Sequence, residues 1–218
     1  MNFQTNTKTV IKKTSRVKVK VCGMTEPDNV CSAIALGVDA IGMILHANSP
    51  RMIPLKQAQL IREQVPAFVS LVGVFVDCDA VKINQYSSEI GLDLVQLHGS
   101  ETNEFGRQLN TPFIKAIRAK SAEQVADSVK QYPEARALLL DPYVQGQHGG
   151  TGKQLDLNLW PTSAEQALIL AGGLSVSNVK SAVDSVSPFA VDLNSGLEVS
   201  PGVKDMTLLE TALAALER

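Results

Sequence analysis

Short apolar runs alternate with helix-length amphipathic stretches from residue 17 to the end of the chain. Eight of these runs are predicted strands, and they cover residues 17–21, 40–44, 69–75, 94–97, 113–116, 137–140, 167–170 and 190–193. Their continuous apolar character indicates burial on both faces, as in a parallel sheet. Between them, stretches such as 54–64 and 122–131 carry apolar residues at helical spacing. The pattern therefore predicts repeated strand–helix units.

This alternation predicts an α/β fold, and the count of eight strands favours a closed (β/α)8 barrel, the TIM-barrel architecture. A doubly wound open sheet is the competing architecture. No GxGxxG motif follows the first predicted strand, which argues against a dinucleotide site. No linker divides residues 17–218, so we expect them to form a single barrel domain.

Residues 1–16 form a polar segment that differs from the rest of the chain. They carry four basic side chains and no acidic one, and they lack the hydrophobic core of a secretory signal. We expect a flexible, solvated N-terminal extension. An organellar transit peptide is the alternative, although the segment shows no clear amphipathic arginine pattern.

Composition excludes several classes of protein. The net charge of the 218 residues is −2, so there is no overall basic signal for nucleic acid, and no apolar stretch is long enough to span a membrane. The three cysteines form no CxxC pair and the three histidines stand far apart, which predicts neither a disulfide framework nor a metal site. We expect a cytoplasmic monomer or homodimer without nucleic-acid or membrane partners.

The last two apolar runs each lead into a turn that contains glycine. The first turn includes Gly172 and Gly173, and the second is Asn194, Ser195 and Gly196. Glycine lets a ligand approach the backbone closely, and a loop that enters a helix presents unpaired N–H groups to an anion. Because the phosphate site of many (β/α)8 barrels follows strands seven and eight, these turns predict a phosphorylated small-molecule ligand. The alternative is a pair of ordinary strand-to-helix turns.

Polar side chains stand at the ends of several predicted strands, which is where a barrel places its chemistry. Cys22 follows the first strand, Arg51 lies beyond the second, His98 ends the fourth and Asp141 ends the sixth. This set offers a thiol, a guanidinium, an imidazole and a carboxyl around one predicted pocket. It fits proton transfer on an anionic substrate better than metal-dependent hydrolysis.

Eight segments together resemble the phosphoribosylanthranilate isomerase family of tryptophan biosynthesis. They are KVCGMT, SPRMI, VGVFVD, DLVQLHG, IKAIR, LLLDPYVQGQHGGTGK, LILAGGLSVSNV and VDLNSGLEVSPGVKD. They follow the order of the family and cover the chain from about residue 17 onward. One departure is Asn194, which stands where many relatives carry serine.

The resemblance implies a (β/α)8 barrel that catalyses an Amadori rearrangement without a cofactor or a metal. It implies that Cys22 is the general base and Asp141 the general acid. Without the resemblance, the favoured interpretation of Cys22 is a small buried apolar residue, and the alternative for Asp141 is a helix N-cap beside Pro142.

The resemblance also implies how the substrate is bound. Arg51 would grip the anthranilate carboxylate through two parallel hydrogen bonds, and the alternative for this residue is a surface ion pair. Asp192 would contact the substrate amine or the ribose hydroxyls, with a structural role in its loop as the alternative. The phosphate would lie between the two glycine turns.

Two other functions remain open from the sequence. One is a different phosphosugar barrel, such as an epimerase or an indoleglycerol phosphate synthase. The other is a non-enzymatic phosphate-binding barrel, which would have lost its acid or its base.

Overall fold

A computed structural model describes residues 16–143 and 152–217. The predicted N-terminal extension therefore lies outside the described residues except for Arg16, and so does most of the loop that follows the sixth predicted strand. The extension, the cytoplasmic location and the oligomeric state stay predictions. Within the described ranges, no helix is both long enough and apolar enough to cross a membrane.

Eight parallel strands form a closed barrel in chain order, because β1 pairs with both β2 and β8. The strands are β1 (Lys18–Val21), β2 (Ala40–His46), β3 (Ser70–Phe75), β4 (Leu94–Leu97), β5 (Phe113–Ala119), β6 (Ala137–Pro142), β7 (Ala167–Leu170) and β8 (Ala190–Leu193). The predicted (β/α)8 barrel is confirmed, and the closure between β1 and β8 excludes the open doubly wound sheet.

Within residues 16–143 and 152–217, seven helices cover the outside of the barrel. They are α1 (Pro27–Ala35), α2 (Leu55–Gln64), α3 (Ala80–Ile90), α4 (Asn103–Gly106), α5 (Ala122–Gln131), α6 (Val179–Val186) and α7 (Met206–Ala215). Local signals in the sequence fix several of their ends. Asp79 caps α3 by accepting a hydrogen bond from the Lys82 N–H, and Gly91 ends the same helix in the left-handed conformation.

Three strands, β2, β5 and β6, extend beyond their predicted ends, and the extension of β6 matters for the site. The apolar run of the sixth strand ends at residue 140, but β6 continues through Asp141 and Pro142 because these residues pair with Arg118 and Ala119 of β5. Asp141 is therefore a strand residue, and the helix N-cap alternative for it is wrong. In the same way β2 continues to His46, which pairs with Phe75 of β3.

The β8–α7 connection contains structure that the hydrophobic pattern did not predict. A 3-10 turn at Ser195–Leu197 leads into a short antiparallel hairpin made of β9 (Glu198–Ser200) and β10 (Val203–Lys204). The hairpin is bound to the loop between β1 and α1, because the Gly202 carbonyl accepts hydrogen bonds from the Thr25 N–H and hydroxyl.

Strand alternation decides which side chains enter the barrel. On β6 and β7, Leu139 and Ile169 belong to a small apolar cluster separate from the main core between strands and helices. Because side chains alternate with a period of two, Asp141 shares the face of Leu139. The strand register therefore places the polar residues at the strand ends directly above an apolar layer.

Candidate active site

One cavity of about 1110 Å³ opens at the carboxyl ends of the strands. Residues from β1, β2, β3, β4, β6, β7 and β8, or from the loops that follow them, line it. All nine residues predicted as catalytic or substrate-binding are among them: Cys22, Arg51, Asp141, Gly172, Gly173, Asp192, Asn194, Ser195 and Gly196. The structure thus brings the predicted set together, while the role of each residue stays a prediction.

Cys22 lies just beyond β1 and is 4% exposed. Its neighbour on the same strand face is Lys20, whose Nζ stands 2.8 Å from Asp192 Oδ1 in a buried ion pair. Gly42 makes room for both, since a Cβ there would stand 2.8 Å from Cys22 Sγ and 3.1 Å from Lys20 Cε. The thiol, the ammonium and the carboxylate therefore form one compact group.

Burial raises the pKa of the Cys22 thiol, and the carboxylate of Asp192 raises it further. The Lys20 ammonium opposes both effects through its charge and a hydrogen bond. The same ammonium keeps its own pKa above the ordinary value, because the attraction of Asp192 and Cys22 outweighs burial. The free site thus holds a protonated thiol beside a fixed positive charge.

Asp141 faces an imidazole across the cavity mouth. Its Oδ2 stands 3.6 Å from His98 Nε2, and His98 Nδ1 stands 3.0 Å from the Gln96 side-chain nitrogen. When the Gln96 amide donates to Nδ1, the ring proton resides on Nε2 and faces Asp141. Gln96 Oε1 and His98 Nε2 are buried and have no hydrogen-bond partner within the described residues.

Glu198 holds the Arg51 guanidinium through two hydrogen bonds. Its Nε donates to Glu198 Oε1 at 2.8 Å and its Nη2 to Oε2 at 2.6 Å. The alternative of a surface ion pair is wrong, because the side chains of Arg51 and Glu198 are only 11% and 6% exposed. A guanidinium has five N–H donors, so three remain for a second carboxylate.

The first glycine turn uses conformations that favour glycine. Gly172 and Gly173 have φ values of 88° and 57°. A Cβ on Gly173 would stand 2.6 Å from the Gly152 carbonyl oxygen, so this turn packs against the end of the loop from β6. The Gly173 carbonyl accepts a hydrogen bond from Asn178 Nδ2 at 2.9 Å, which fixes the orientation of the peptide.

The second turn begins the 3-10 turn after β8. The first internal hydrogen bond of this turn runs from the Leu197 N–H to the Asn194 carbonyl, so the N–H groups of Ser195 and Gly196 precede it and have no partner within the turn. The Asn194 side chain is engaged elsewhere, because its Oδ1 accepts a hydrogen bond from Lys204 Nζ at 2.8 Å. Asn194 therefore contributes to this turn mainly through its backbone.

Comparison with known proteins identifies the family. Residues 19–215 match the profile of N-(5'-phosphoribosyl)anthranilate (PRA) isomerase. The chain belongs to this family. An N-(5'-phosphoribosyl)anthranilate isomerase of Legionella pneumophila (strain Corby) is 42% identical over 202 residues, which are 93% of this chain and 98% of the relative. The predicted family and isomerase class are confirmed.

Solved structures agree with this assignment. Phosphoribosyl anthranilate isomerase from Thermotoga maritima has a TM-score of 0.84 and 34% identity, over 92% of this chain and 98% of its own. A second structure, at a TM-score of 0.81 and 32% identity over the same shares, is a phosphoribosyl anthranilate isomerase in complex with reduced 1-(o-carboxyphenylamino)-1-deoxyribulose 5-phosphate.

Three features of the site were not found from the sequence. The sequence did contain a signal for the Lys20–Asp192 pair and for the Gln96–His98 pair. Each of these residues stands two positions from another polar residue along a strand, so that both side chains share one face. Glu198 had none, because its contact with Arg51 depends on a hairpin that lies 147 residues further along the chain.

Proposed function

We propose that this chain converts N-(5'-phosphoribosyl)anthranilate to 1-(2-carboxyphenylamino)-1-deoxyribulose 5-phosphate, with Cys22 as general base and Asp141 as general acid. The observation that carries the proposal is the single cavity lined by both residues, by Arg51 and by the two glycine turns. Around the barrel, β7 and β8 separate the strand of Asp141 from the strand that leads to Cys22. The acid and the base therefore reach the substrate from different sides.

The reaction needs two proton transfers and no redox partner. Asp141 gives its proton to the furanose ring oxygen, the C1–O bond breaks, and the nitrogen lone pair forms the C1=N iminium. Cys22 then takes the proton from C2, the electrons of that C–H bond form the C1=C2 double bond of the enolamine, and the π electrons of the C1=N bond return to the nitrogen as its lone pair. Tautomerisation of the enolamine places a proton on C1 and releases the one on the C2 oxygen, which gives the ketone. Positioned acids and bases of this kind contribute about 10²–10⁴-fold each.

The electrostatics of the site suit this order of events. In the free site, burial and Asp192 raise the pKa of the Cys22 thiol. Ring opening creates a cationic iminium, and a positive charge beside the thiol favours the thiolate. The Lys20 ammonium also favours the thiolate, because it lies beside the thiol, with both side chains against Gly42. The base is thus activated when its substrate has opened.

The remaining side chains bind the two ends of the substrate. The free edge of Arg51 receives the anthranilate carboxylate, and the N–H groups of Gly173, Ser195 and Gly196 receive the phosphate. Asp192 combines the two roles considered for it: Oδ1 is held by Lys20, and Oδ2 is left to accept a hydrogen bond from the substrate amine or a ribose hydroxyl.

The test is turnover of freshly generated phosphoribosylanthranilate, made from anthranilate and ribose 5-phosphate and followed by its loss of fluorescence. The matched control is the chain that carries both Cys22→Ala and Asp141→Asn. We expect rapid loss with the unchanged chain and a rate near the uncatalysed one with the control. Equal rates for the two proteins would overturn the proposed roles, and no acceleration by the unchanged chain would overturn the activity.

A further inference from the structure

Three charged side chains form a buried cluster beside the cavity. Arg51 comes from the loop after β2, and Glu198 and Lys204 come from β9 and β10, where they are directly paired in the hairpin. Their side chains are 11%, 6% and 0% exposed. Of the three, only Arg51 lines the cavity. Glu198 therefore lies behind Arg51 as seen from the cavity.

The contacts of Glu198 leave its carboxylate little freedom. Besides the two hydrogen bonds from Arg51, Oε1 accepts one from Lys204 Nζ and one from the Gly202 N–H at 3.1 Å. Gly202 is itself bonded to Thr25 through its carbonyl. The carboxylate is thus fixed by two elements, the hairpin and the β1–α1 loop, that do not depend on Arg51.

The Arg51 stem is confined as well. A Cβ on Gly23 would stand 2.7 Å from Arg51 Cδ, so the alkyl chain crosses directly over this glycine. With Nε and Nη2 bound by Glu198, the guanidinium plane has one orientation. The edge that carries Nη1 and the second Nη2 hydrogen is the one left for a ligand, and its two parallel donors match a carboxylate.

The cluster holds two cations and one anion. Burial raises the pKa of Glu198, but hydrogen bonds from Arg51 and Lys204 outweigh it and lower the pKa to about 2, so the carboxylate is ionised at neutral pH. One positive charge is left over, which suits a ligand group with one negative charge.

We propose that Glu198 is a positioning residue that determines specificity: it aims the free edge of Arg51 at the aromatic carboxylate and thereby selects substrates that carry this group. The inference rests on the proposed function. Orientation and charge make opposite predictions here. Removal of the Glu198 charge leaves the Arg51 cation without its internal counter-ion, which would strengthen its attraction to any carboxylate. Loss of the fixed orientation of the guanidinium would instead weaken binding of the aromatic carboxylate.

The test compares two substrates, the phosphoribosyl adducts of anthranilate and of aniline, which differ only in the carboxylate. The measured quantity is the ratio of their kcat/KM values. This ratio does not depend on the concentration of folded enzyme, so a destabilised variant still gives a valid result. Arg51→Ala sets the floor of the ratio, and Glu134→Gln is the matched control, since Glu134 pairs with Arg107 on the exposed surface.

For Glu198→Gln we expect the ratio to fall by about tenfold or more towards the Arg51→Ala value, since hydrogen bonds between charged groups are among the stronger ones. The loss should appear in KM, because the carboxylate is gripped in both the ground state and the transition state. Glu134→Gln should leave the ratio unchanged. An unchanged or increased ratio in Glu198→Gln would overturn the inference. If the unchanged chain fails to convert the anthranilate adduct, the proposed function fails instead.

Discussion

Gly172 connects the backbone of the first glycine turn to the position of the proposed acid. A Cβ at this residue would stand 2.7 Å from Pro142 Cγ, closer still to Pro142 Cδ, and 3.2 Å from Asp141 Oδ1. We therefore predict that Gly172→Ala displaces Pro142 and, with it, Asp141. The variant tests whether the acid must be held in place by the end of β6.

The magnitude follows from the geometry. Carbon atoms in contact rest about 3.5–4 Å apart, so the nearest proline carbon, Pro142 Cδ, must retreat by more than about 1 Å. A displacement of this size in a catalytic group costs about 10²-fold in rate. The positive φ of 88° at Gly172 adds about 1–2 kcal/mol of backbone strain, which lowers the Tm by about 2–8 °C for a domain of this size.

Gly37 provides a control that separates strain from displacement. Its φ is 90°, but a Cβ there would meet nothing within 4 Å. Gly37→Ala should lower the Tm through the same backbone strain while kcat stays within about twofold. Gly172→Ala should lower the Tm further and reduce kcat by about 10²-fold. The kcat values are measured by the loss of fluorescence and the Tm values by calorimetry. Equal kcat values for the two variants would refute the reasoning.

Three further changes test the site. Cys22→Ala should lower kcat by about 10²–10⁴-fold and preserve calorimetric binding of a product analogue, and activity within a few-fold of the unchanged chain would reject the base. Because burial raises the pKa of the Cys22 thiol, its alkylation by iodoacetamide should keep accelerating above about pH 8.5, the ordinary thiol pKa; a plateau below that pH contradicts this. Asp141→Asn should lower kcat severely with little change in Tm, whereas a collapse of Tm with active residual enzyme would make Asp141 structural. Gly173→Val should raise KM and weaken inhibition by inorganic phosphate, since its side chain would meet the Gly152 carbonyl; unchanged inhibition would place the phosphate elsewhere.

The sequence predicted the barrel well because its signal is local. Each strand is a continuous apolar run, and a run such as 190–193 coincides with the observed strand Ala190–Leu193. The predicted end at residue 140 was too early because Asp141 is polar, yet it is held in β6 by pairing with Arg118. Hydrophobicity marks where a strand is buried, while backbone pairing decides where it ends.

The site was predictable where it follows strand ends and unpredictable where it depends on contacts across the chain. Alternation along a strand predicts that Lys20 and Cys22 share a face, and both side chains do lie against Gly42. No local pattern connects Arg51 to Glu198, since their contact needs the barrel to close and the hairpin to fold back towards β1. The sequence thus indicated which group would grip a carboxylate but not what aims it.

The polar residues of the site stand at the last inward-facing positions of their strands. Gln96 precedes His98 on one strand face, Leu139 precedes Asp141, and Asp192 precedes Asn194. These three strands therefore give their last inward positions to the cavity, while the apolar cluster that includes Leu139 lies below. Because the period is two, a shift of one residue would turn every one of these side chains towards the helices. Register therefore maintains the site and the core together.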